Sequence, residues 1–470
     1  AEASFGDGRV FMEKFIAAPR HIEIQILADL YGNIIHLGER ECSIQRRHQK
    51  VIEEAPSPYL TDEMRADMGA QAIALASAVD YSSAGTVEFL VDADQNFYFL
   101  EMNTRLQVEH PVTELVTGFD LVEQMINIAA GGRLEHTQDD VSINGWAIEA
   151  RIYAEDPEMN FMPSPGRILY LYAPSGPGVR IDSGVQQGDS ISQYYDPMIA
   201  KLICHGDNRT EALMRLQQAL ENYQIDGVKH NIPFLKTLCE QPEFKDAKIH
   251  TGYLEQHPVN LSRLSLSSAI KFIACDHFNQ IWNACTDPLY QKSFSWQNSV
   301  SSYWHTCFQI ENTRVYCRFQ PVSNHCFQLQ WEDINMEIRF EKNGAQFSII
   351  EDHSKDQAKI IHRGNRILIF HPQGQAAAQK IDDPYNTAQH DATGGQLTAP
   401  MPATVVAVLK KAGEPIKSGE AIMVLEAMKM EHTIHAPQDG IISEIFYSVG
   451  SQVSEGDQLL ALENECMESA

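Results

Sequence analysis

Ser418-Gly419-Glu420-Ala421-Ile422-Met423-Val424-Leu425-Glu426 is matched, 37 positions further on, by Glu455-Gly456-Asp457-Gln458-Leu459-Leu460-Ala461-Leu462-Glu463. The same offset carries Ala399-Pro400 onto Ala436-Pro437 and Gly413 onto Gly450. Two like halves of short apolar runs and glycine turns predict a small, quasi-twofold β-sandwich. The first half closes on Ala427-Met428-Lys429-Met430, between apolar pairs, which predicts a hairpin tip carrying Lys429 into solvent. A lone lysine at a turn is ordinarily a solvated charge. Methionine on both sides of it is not ordinary at an exposed bend.

Working upstream, residues 371–396 are rich in Gln, Ala, Asp, His and Gly and read as a linker. Before it, Val315/Cys317/Phe319, Phe327/Leu329/Trp331 and Met336/Ile338/Phe340 alternate with polar residues, and Asn343-Gly344 and Gly364-Asn365 sit at turns. With a helix over 269–285, this predicts an antiparallel barrel or sandwich with one helix. Residues 116–260 are mixed, and Asn208 with Glu211 resembles a capping box for the amphipathic run 212–223. Residues 1–115 alternate strand and helix: Ile22, Ile24 and Ile26 mark a strand. Thr61 caps a helix with Asp62 and Glu63 in its first turn, and 87–91 and 97–102 form a hairpin.

Composition narrows the function. The 470 residues carry 63 acidic against 36 basic side chains, a net charge of −27, with 43% hydrophobic and 9% aromatic residues. That supports roughly three folded domains and argues against binding nucleic acid through its phosphates. The longest apolar runs, such as 70–79, fall far short of the ~20 residues of a membrane span. Nine scattered cysteines without a CxxC suit a reducing compartment, the bacterial cytoplasm or the mitochondrial matrix. The chain opens on Ala1, inside a segment that reads as structured, so the expectation is that an N-terminal portion is missing.

Glu88 and Glu101 fall on the two strands of the hairpin, with Asn103 two residues on. Oxygen donors without His or Cys suit Mg²⁺ or Mn²⁺ bridging phosphates. An isolated acidic pair would be read as solvated surface. Here it opens Glu101-Met102-Asn103-Thr104-Arg105-Leu106-Gln107-Val108-Glu109-His110, which crowds charges and amides into one strand-to-loop passage. Ser43-Ile44-Gln45-Arg46-Arg47-His48-Gln49-Lys50 is the one basic patch read as functional.

These stretches carry a resemblance. Glu426-Ala427-Met428-Lys429-Met430 matches the attachment sequence of biotin carboxyl carrier domains, rather than that of the lipoyl domains sharing the fold, and the two passages above resemble the ATP-grasp signature of biotin carboxylases. In that order the chain resembles an α subunit of the biotin-dependent acyl-CoA carboxylases. The resemblance implies a multidomain α+β chain. Residues 1–115 would be the C-terminal part of an ATP-grasp domain, and 116–260 a mixed α/β biotin carboxylase C-terminal domain. Residues 261–385 would be a subunit-docking β-barrel with a helix (BT), 386–396 a linker, and 397–464 an all-β biotinyl (lipoyl-like) sandwich. Ala403 stands where the family usually has Gly.

The resemblance also implies roles. Lys429 would carry biotin, attached by a biotin protein ligase. Glu88, Glu101 and Asn103 would hold Mg²⁺ or Mn²⁺. Glu13, Lys14 and Ile16 would meet the adenine of ATP, His21 and Gln45 its ribose, and His48 its phosphates. Lys50, Arg105, Gln107 and the backbone of Val108 would hold bicarbonate, with Glu109 as general base; Arg151 would stabilise charge developing on biotin. Bicarbonate is a poor electrophile and is phosphorylated first, which needs a base and cations around the anion. Met430-Glu431-His432-Thr433-Ile434 and Asn160-Phe161-Met162-Pro163 lean towards the 3-methylcrotonyl-CoA enzymes over the propionyl-CoA ones. The implied partner is a carboxyltransferase β subunit, in an α6β6 assembly. Because the family's glycine-rich lid and two phosphate-binding lysines precede residue 1, the chain alone is expected to be inactive, a carrier and scaffold.

Overall fold

The computed structural model describes residues 8–10, 12–284, 304–351, 354–381, 397–427, 430–454 and 456–463. It divides into two compact units, 1–260 and 261–470. Lys429, Met428 and the predicted linker 386–396 lie outside the described residues. No helix among those described is long and apolar enough to cross a membrane.

The first unit is built on an eight-stranded antiparallel sheet. Its strands are β1 (Arg20–Ala28), β2 (Ile34–Arg46), β3 (Gln49–Ala55), β4 (Ser83–Val91), β5 (Phe97–Asn103), β6 (Trp146–Tyr153), β7 (Val179–Ser183) and β8 (Met198–Gly206), in the spatial order β7-β8-β6-β3-β2-β1-β4-β5. Helix α1 (Asp62–Ala78) begins where expected, the Thr61 side chain accepting the Met64 N–H. Met64, Met68, Ala72 and Ala76 of α1 pack on Ile22, Ile24, Ile26, Val87, Phe89 and Val91. Since strand side chains alternate between faces, His21, Glu23, Gln25 and Glu88 must then point to the opposite face. That alternation is what places the site.

In the second unit, α2 (Leu266–Ala284) fills a closed barrel of eight antiparallel strands running from Trp304–Ile310 to Gly374–Ile381, the first pairing with both the second and the last. Closure decides between the barrel and the sandwich, and it leaves no sheet edge. The helix side chains Phe272, Ile273, Cys275 and Phe278 enter a core with Phe308, Phe319, Phe327, Phe340 and Phe347. Phe278 stacks on Phe327 with ring centres 4.6 Å apart.

The predicted repeat appears as two four-stranded sheets. Strand Ala403–Val408 recurs as Gly440–Ile445, Pro415–Ile416 as Gln452–Val453, and Ala421–Ala427 as Gln458–Glu463. The halves exchange hydrogen bonds reciprocally. Gly413 N–H donates to Ile442 O and Gly450 N–H to Val405 O, both at 2.7 Å, while Gly419 donates to Ala436 O and Gly456 to Ala399 O, both at 2.8 Å. Ala403 lies buried in a strand, a position where a Cβ is ordinary. Gly419 and Gly456 both have φ +84°, with open space where a Cβ would stand. Alanine at either should therefore cost backbone strain alone, about 1 kcal/mol. Native-state hydrogen exchange across 421–427 and 458–463 should show similar losses of protection in both variants.

Candidate active site

The polar face of the sheet is a network of buried charges. Arg40 on β2 has no exposed surface. Its Nη1 donates to Gln25 Oε1 (2.7 Å) and Thr113 Oγ1 (3.1 Å), and its Nη2 to Gln107 Oε1 (2.6 Å), Thr86 Oγ1 (3.1 Å) and Glu23 Oε2 (3.3 Å). Gln107 is thereby clamped, because its Nε2 donates onward to Glu88 Oε1 at 2.8 Å. Next to it, Lys50 Nζ bonds Glu23 and reaches Glu109 Oε1 at 2.7 Å and Glu88 Oε1 at 3.4 Å. Burial alone would lower the Lys50 pKa, but these carboxylates outweigh it and push the ammonium well above its ordinary value.

Glu109 stands at the N-cap of the helix His110–Thr117 without making a capping bond. Its carboxylate is held instead between two cations, Lys50 on one oxygen and Arg151 Nη2 on the other at 2.9 Å. The Nε of Arg151 donates to Glu53 Oε1 at 2.6 Å. Glu53 and Glu149 are direct cross-strand partners on β3 and β6, both wholly buried. Glu53 Oε2 and both oxygens of Glu149 have no hydrogen-bond partner. Burial raises the Glu53 pKa to about 7 against the pull of Arg151, and burial beside Glu53 raises that of Glu149 further. Both side chains are therefore biased towards the protonated form.

Glu88 and Glu101 are register partners, and Asn103 Nδ2 donates to Glu88 Oε1 (2.8 Å) and Glu101 Oε1 (3.2 Å). Oxygen donors converging on one point fit a hard divalent cation. The other clusters of His, Cys and carboxylate, His21/Glu23/Glu88 and Glu23/Cys42/Glu109, do not. Glu23, common to both, already holds the ammonium of Lys50 and the guanidinium of Arg40. Burial disfavours a charged His21, but Glu23 and Glu88 outweigh it and push the pKa to about 9. Its Nδ1 lies 2.7 Å from the Gln45 amide nitrogen.

A cleft of about 880 Å³ opens over this face. Lys14, Ile16, His21, Gln45, His48, Lys50, Glu88, Glu101, Asn103, Arg105, Gln107, Val108, Glu109 and Arg151 all line it. Glu13 does not, being exposed on the segment before Ile16. Lys14 donates to the Tyr98 hydroxyl at 2.7 Å and lies over its ring. The basic patch divides. Arg47 and His48 form the β2–β3 turn, both with positive φ, and line the cleft, while Arg46 pairs in two bonds with Glu155 (2.8 and 3.0 Å) and covers Phe161. Sequence reasoning passed over the wall formed by His250, Thr251, Gly252, Glu255 and Gln256, which Thr251 N–H ties to Pro19 O at 2.9 Å. No local motif marks it. Glu23 was legible, since polar residues at 21, 23 and 25 alternate with the isoleucines.

Comparison with known proteins places this architecture. Residues 1–137 match the family "Carbamoyl-phosphate synthase L chain, ATP binding domain", residues 149–256 "Biotin carboxylase C-terminal domain" and residues 395–462 "Biotin-requiring enzyme". The propionyl-CoA carboxylase alpha chain of Ruegeria pomeroyi is 39% identical over 98% of this chain and 72% of its own length. The chain belongs to the α subunits of the biotin-dependent carboxylases. The methylcrotonoyl-CoA carboxylase α subunit of Mus musculus is 38% identical, over 99% of this chain and 67% of its own. The mitochondrial propionyl-CoA carboxylase alpha chain of Sus scrofa is 43% identical over 98% of this chain, which spans 66% of that relative's length.

Among solved structures, the biotin carboxylase domain of the Hydrogenobacter thermophilus 2-oxoglutarate carboxylase, in complex with MgADP, ADP and bicarbonate, is 50% identical. It has a TM-score of 0.53, covering 55% of this chain and 57% of that one.

The buried carboxyl pair makes stability pH-dependent. A carboxyl whose folded pKa is raised stabilises fully below its unfolded value, about 4.5, and loses that contribution as pH climbs through about 7. Glu149→Gln removes the second acid while keeping its shape. Urea unfolding of the first unit should then fall less between pH 5 and pH 8 than in the unsubstituted protein, by on the order of 1–3 kcal/mol.

Proposed function

We propose that the chain carboxylates biotin carried on Lys429, using ATP and bicarbonate, and delivers the carboxyl group to an acyl-CoA at a partner carboxyltransferase β subunit. What carries the reading is Glu109, held at 2.7 and 2.9 Å between Lys50 and Arg151 in a cleft lined by the other predicted site residues. A carboxylate so held is oriented at the wall of the cleft, as a general base requires.

Each role follows from the chemistry. Glu109 takes the proton of bicarbonate, whose oxygen attacks the terminal phosphorus of ATP as ADP leaves. Lys50 and Arg105 offer positive charge to the anion, and the Val108 backbone offers a donor. Glu88, Glu101 and Asn103 would hold Mg²⁺ or Mn²⁺, which would neutralise charge on the phosphates. His21, protonated between carboxylates, and Gln45 meet the ribose; His48 meets the phosphates; Lys14 and Ile16 meet the adenine. Arg151, released from Glu109 once that carboxylate is protonated, is free to balance charge on the ureido oxygen of biotin. Biotin, once attached, would supply the nucleophilic ureido nitrogen; the carboxyl unit reaches it as the phosphorylated bicarbonate loses phosphate, which leaves with the nitrogen's proton.

The barrel is the proposed docking element for the β subunit, in an α6β6 assembly. Biotin protein ligase would modify Lys429. The seven described cysteines are free and buried, in keeping with a reducing compartment such as the bacterial cytoplasm or the mitochondrial matrix. Two acyl-CoA classes stand. The motifs at 160–163 and 430–434 favour 3-methylcrotonyl-CoA, while 43% identity to a propionyl-CoA carboxylase against 38% to a methylcrotonoyl-CoA carboxylase favours propionyl-CoA.

The carrier role is tested by intact mass. Co-expressed with biotin ligase, the chain should gain one biotinyl group and Lys429→Arg none; an unmodified chain under competent ligase sinks the reading. Reconstitution with each cognate β subunit, assayed on both acyl-CoAs, separates the two classes.

A further inference from the structure

We propose that Lys201 is a positioning residue for the anion-holding loop 105–109, setting bicarbonate affinity from outside the cleft. The inference rests on the reading above and deepens it.

Lys201 lies on β8, and no sequence motif marks it. Its side chain is nearly buried, and its ammonium donates to the carbonyl oxygen of Val108 at 2.8 Å. Asp182, on the neighbouring β7, takes a second direction of the same ammonium at 3.3 Å. A buried lysine bonded to a main-chain carbonyl is costly unless that geometry is needed, because an ammonium gives up several water contacts to make it.

The bonded carbonyl belongs to the peptide joining Val108 to Glu109. Holding that peptide fixes ψ of Val108 and φ of Glu109. It therefore sets where the Glu109 side chain departs from the chain and how the Val108 backbone faces the cleft. Other restraints on the loop include the Gln107 side chain, held by Arg40 and Glu88, and the contacts of His110 N–H and Nδ1 with Gln107 O. These act at Gln107 or across the turn 107–110, whereas Lys201 grips the oxygen of the Val108–Glu109 peptide itself.

Register adds a second link. Lys201 is the direct cross-strand partner of Arg151, so the two cations share a sheet face. Arg151 holds the Glu109 carboxylate at 2.9 Å while Lys201 holds the Glu109 backbone through Val108 O. One pair of adjacent strands thus grips the base at both ends.

The test is ¹³C-bicarbonate titration by NMR, with hydrogen exchange across 105–112 and thermal unfolding, on the biotinylated chain. Losing a charge-assisted bond to a buried carbonyl should weaken bicarbonate binding about tenfold in Lys201→Met, with faster exchange at 108–110 and a little-changed unfolding midpoint. Lys201→Arg, which restores a cationic donor, should stay within about threefold of the unsubstituted chain. Unaltered bicarbonate affinity in a folded Lys201→Met overturns the proposal. So does a loss in Lys201→Met that comes only with general unfolding, or one equal in Lys201→Arg. Absence of bicarbonate binding in the unsubstituted chain would sink the functional reading itself.

Discussion

Five carboxylates are buried together, those of Glu23, Glu53, Glu88 and Glu149 on one sheet and that of Glu109 at the helix end beside it. A buried ion costs several kcal/mol unless paired and hydrogen-bonded. The arrangement therefore stands only because the buried Arg40, Arg151 and Lys201 and the half-buried Lys50 accompany it. Even with His21 protonated, the two signs are matched only if each charge finds its place. Glu53 and Glu149, register partners whose pKa values burial raises, are where the negative charge is least well matched. Every contact at the candidate site is a consequence of this balance.

The same balance explains why Glu109 forgoes a stabilising cap. An acid at a helix N-terminus ordinarily accepts a backbone N–H, and here the side chain is drawn away to Lys50 and Arg151. Stability given up at the helix end is recovered in two charge-assisted bonds. The Arg47-His48 turn has a similar character. A two-residue hairpin with both residues at positive φ favours Asn-Gly, and two large side chains at φ 48° and 65° carry strain at the rim of the cleft.

Local signals were legible and distant ones were not. The helix cap at Thr61, the Glu88/Glu101 pairing and the 37-residue repeat each follow from residues close in sequence or from a fixed period. Arg40, Lys201 and the wall at 250–256 meet the site through strand order and a loop tied across most of the first unit, neither of which leaves a local pattern. Arg46 shows the opposite error. It belongs to the basic run in sequence, yet strand alternation turns it from Gln45's face to Glu155. The barrel was legible as strands but not as closed, because closure depends on the pairing of Phe308 and Ile310 with Lys380 and Ala378.

The repeat bears on how one lysine could be singled out for modification. The two halves superpose strand for strand, and their glycines share φ to within a degree. The offset that carries Ala421–Ala427 onto the last strand carries Met428 and Lys429 onto Glu465 and Cys466. The repeat thus pairs two places in the sequence, and only one of them holds an amine between methionines. Fold alone cannot discriminate between equivalents related by its own symmetry. A modifying enzyme that selects one of them would have to read the side chains of the sequence around it, so on the proposed function the residues flanking Lys429 inform on the carried group more than the sandwich does.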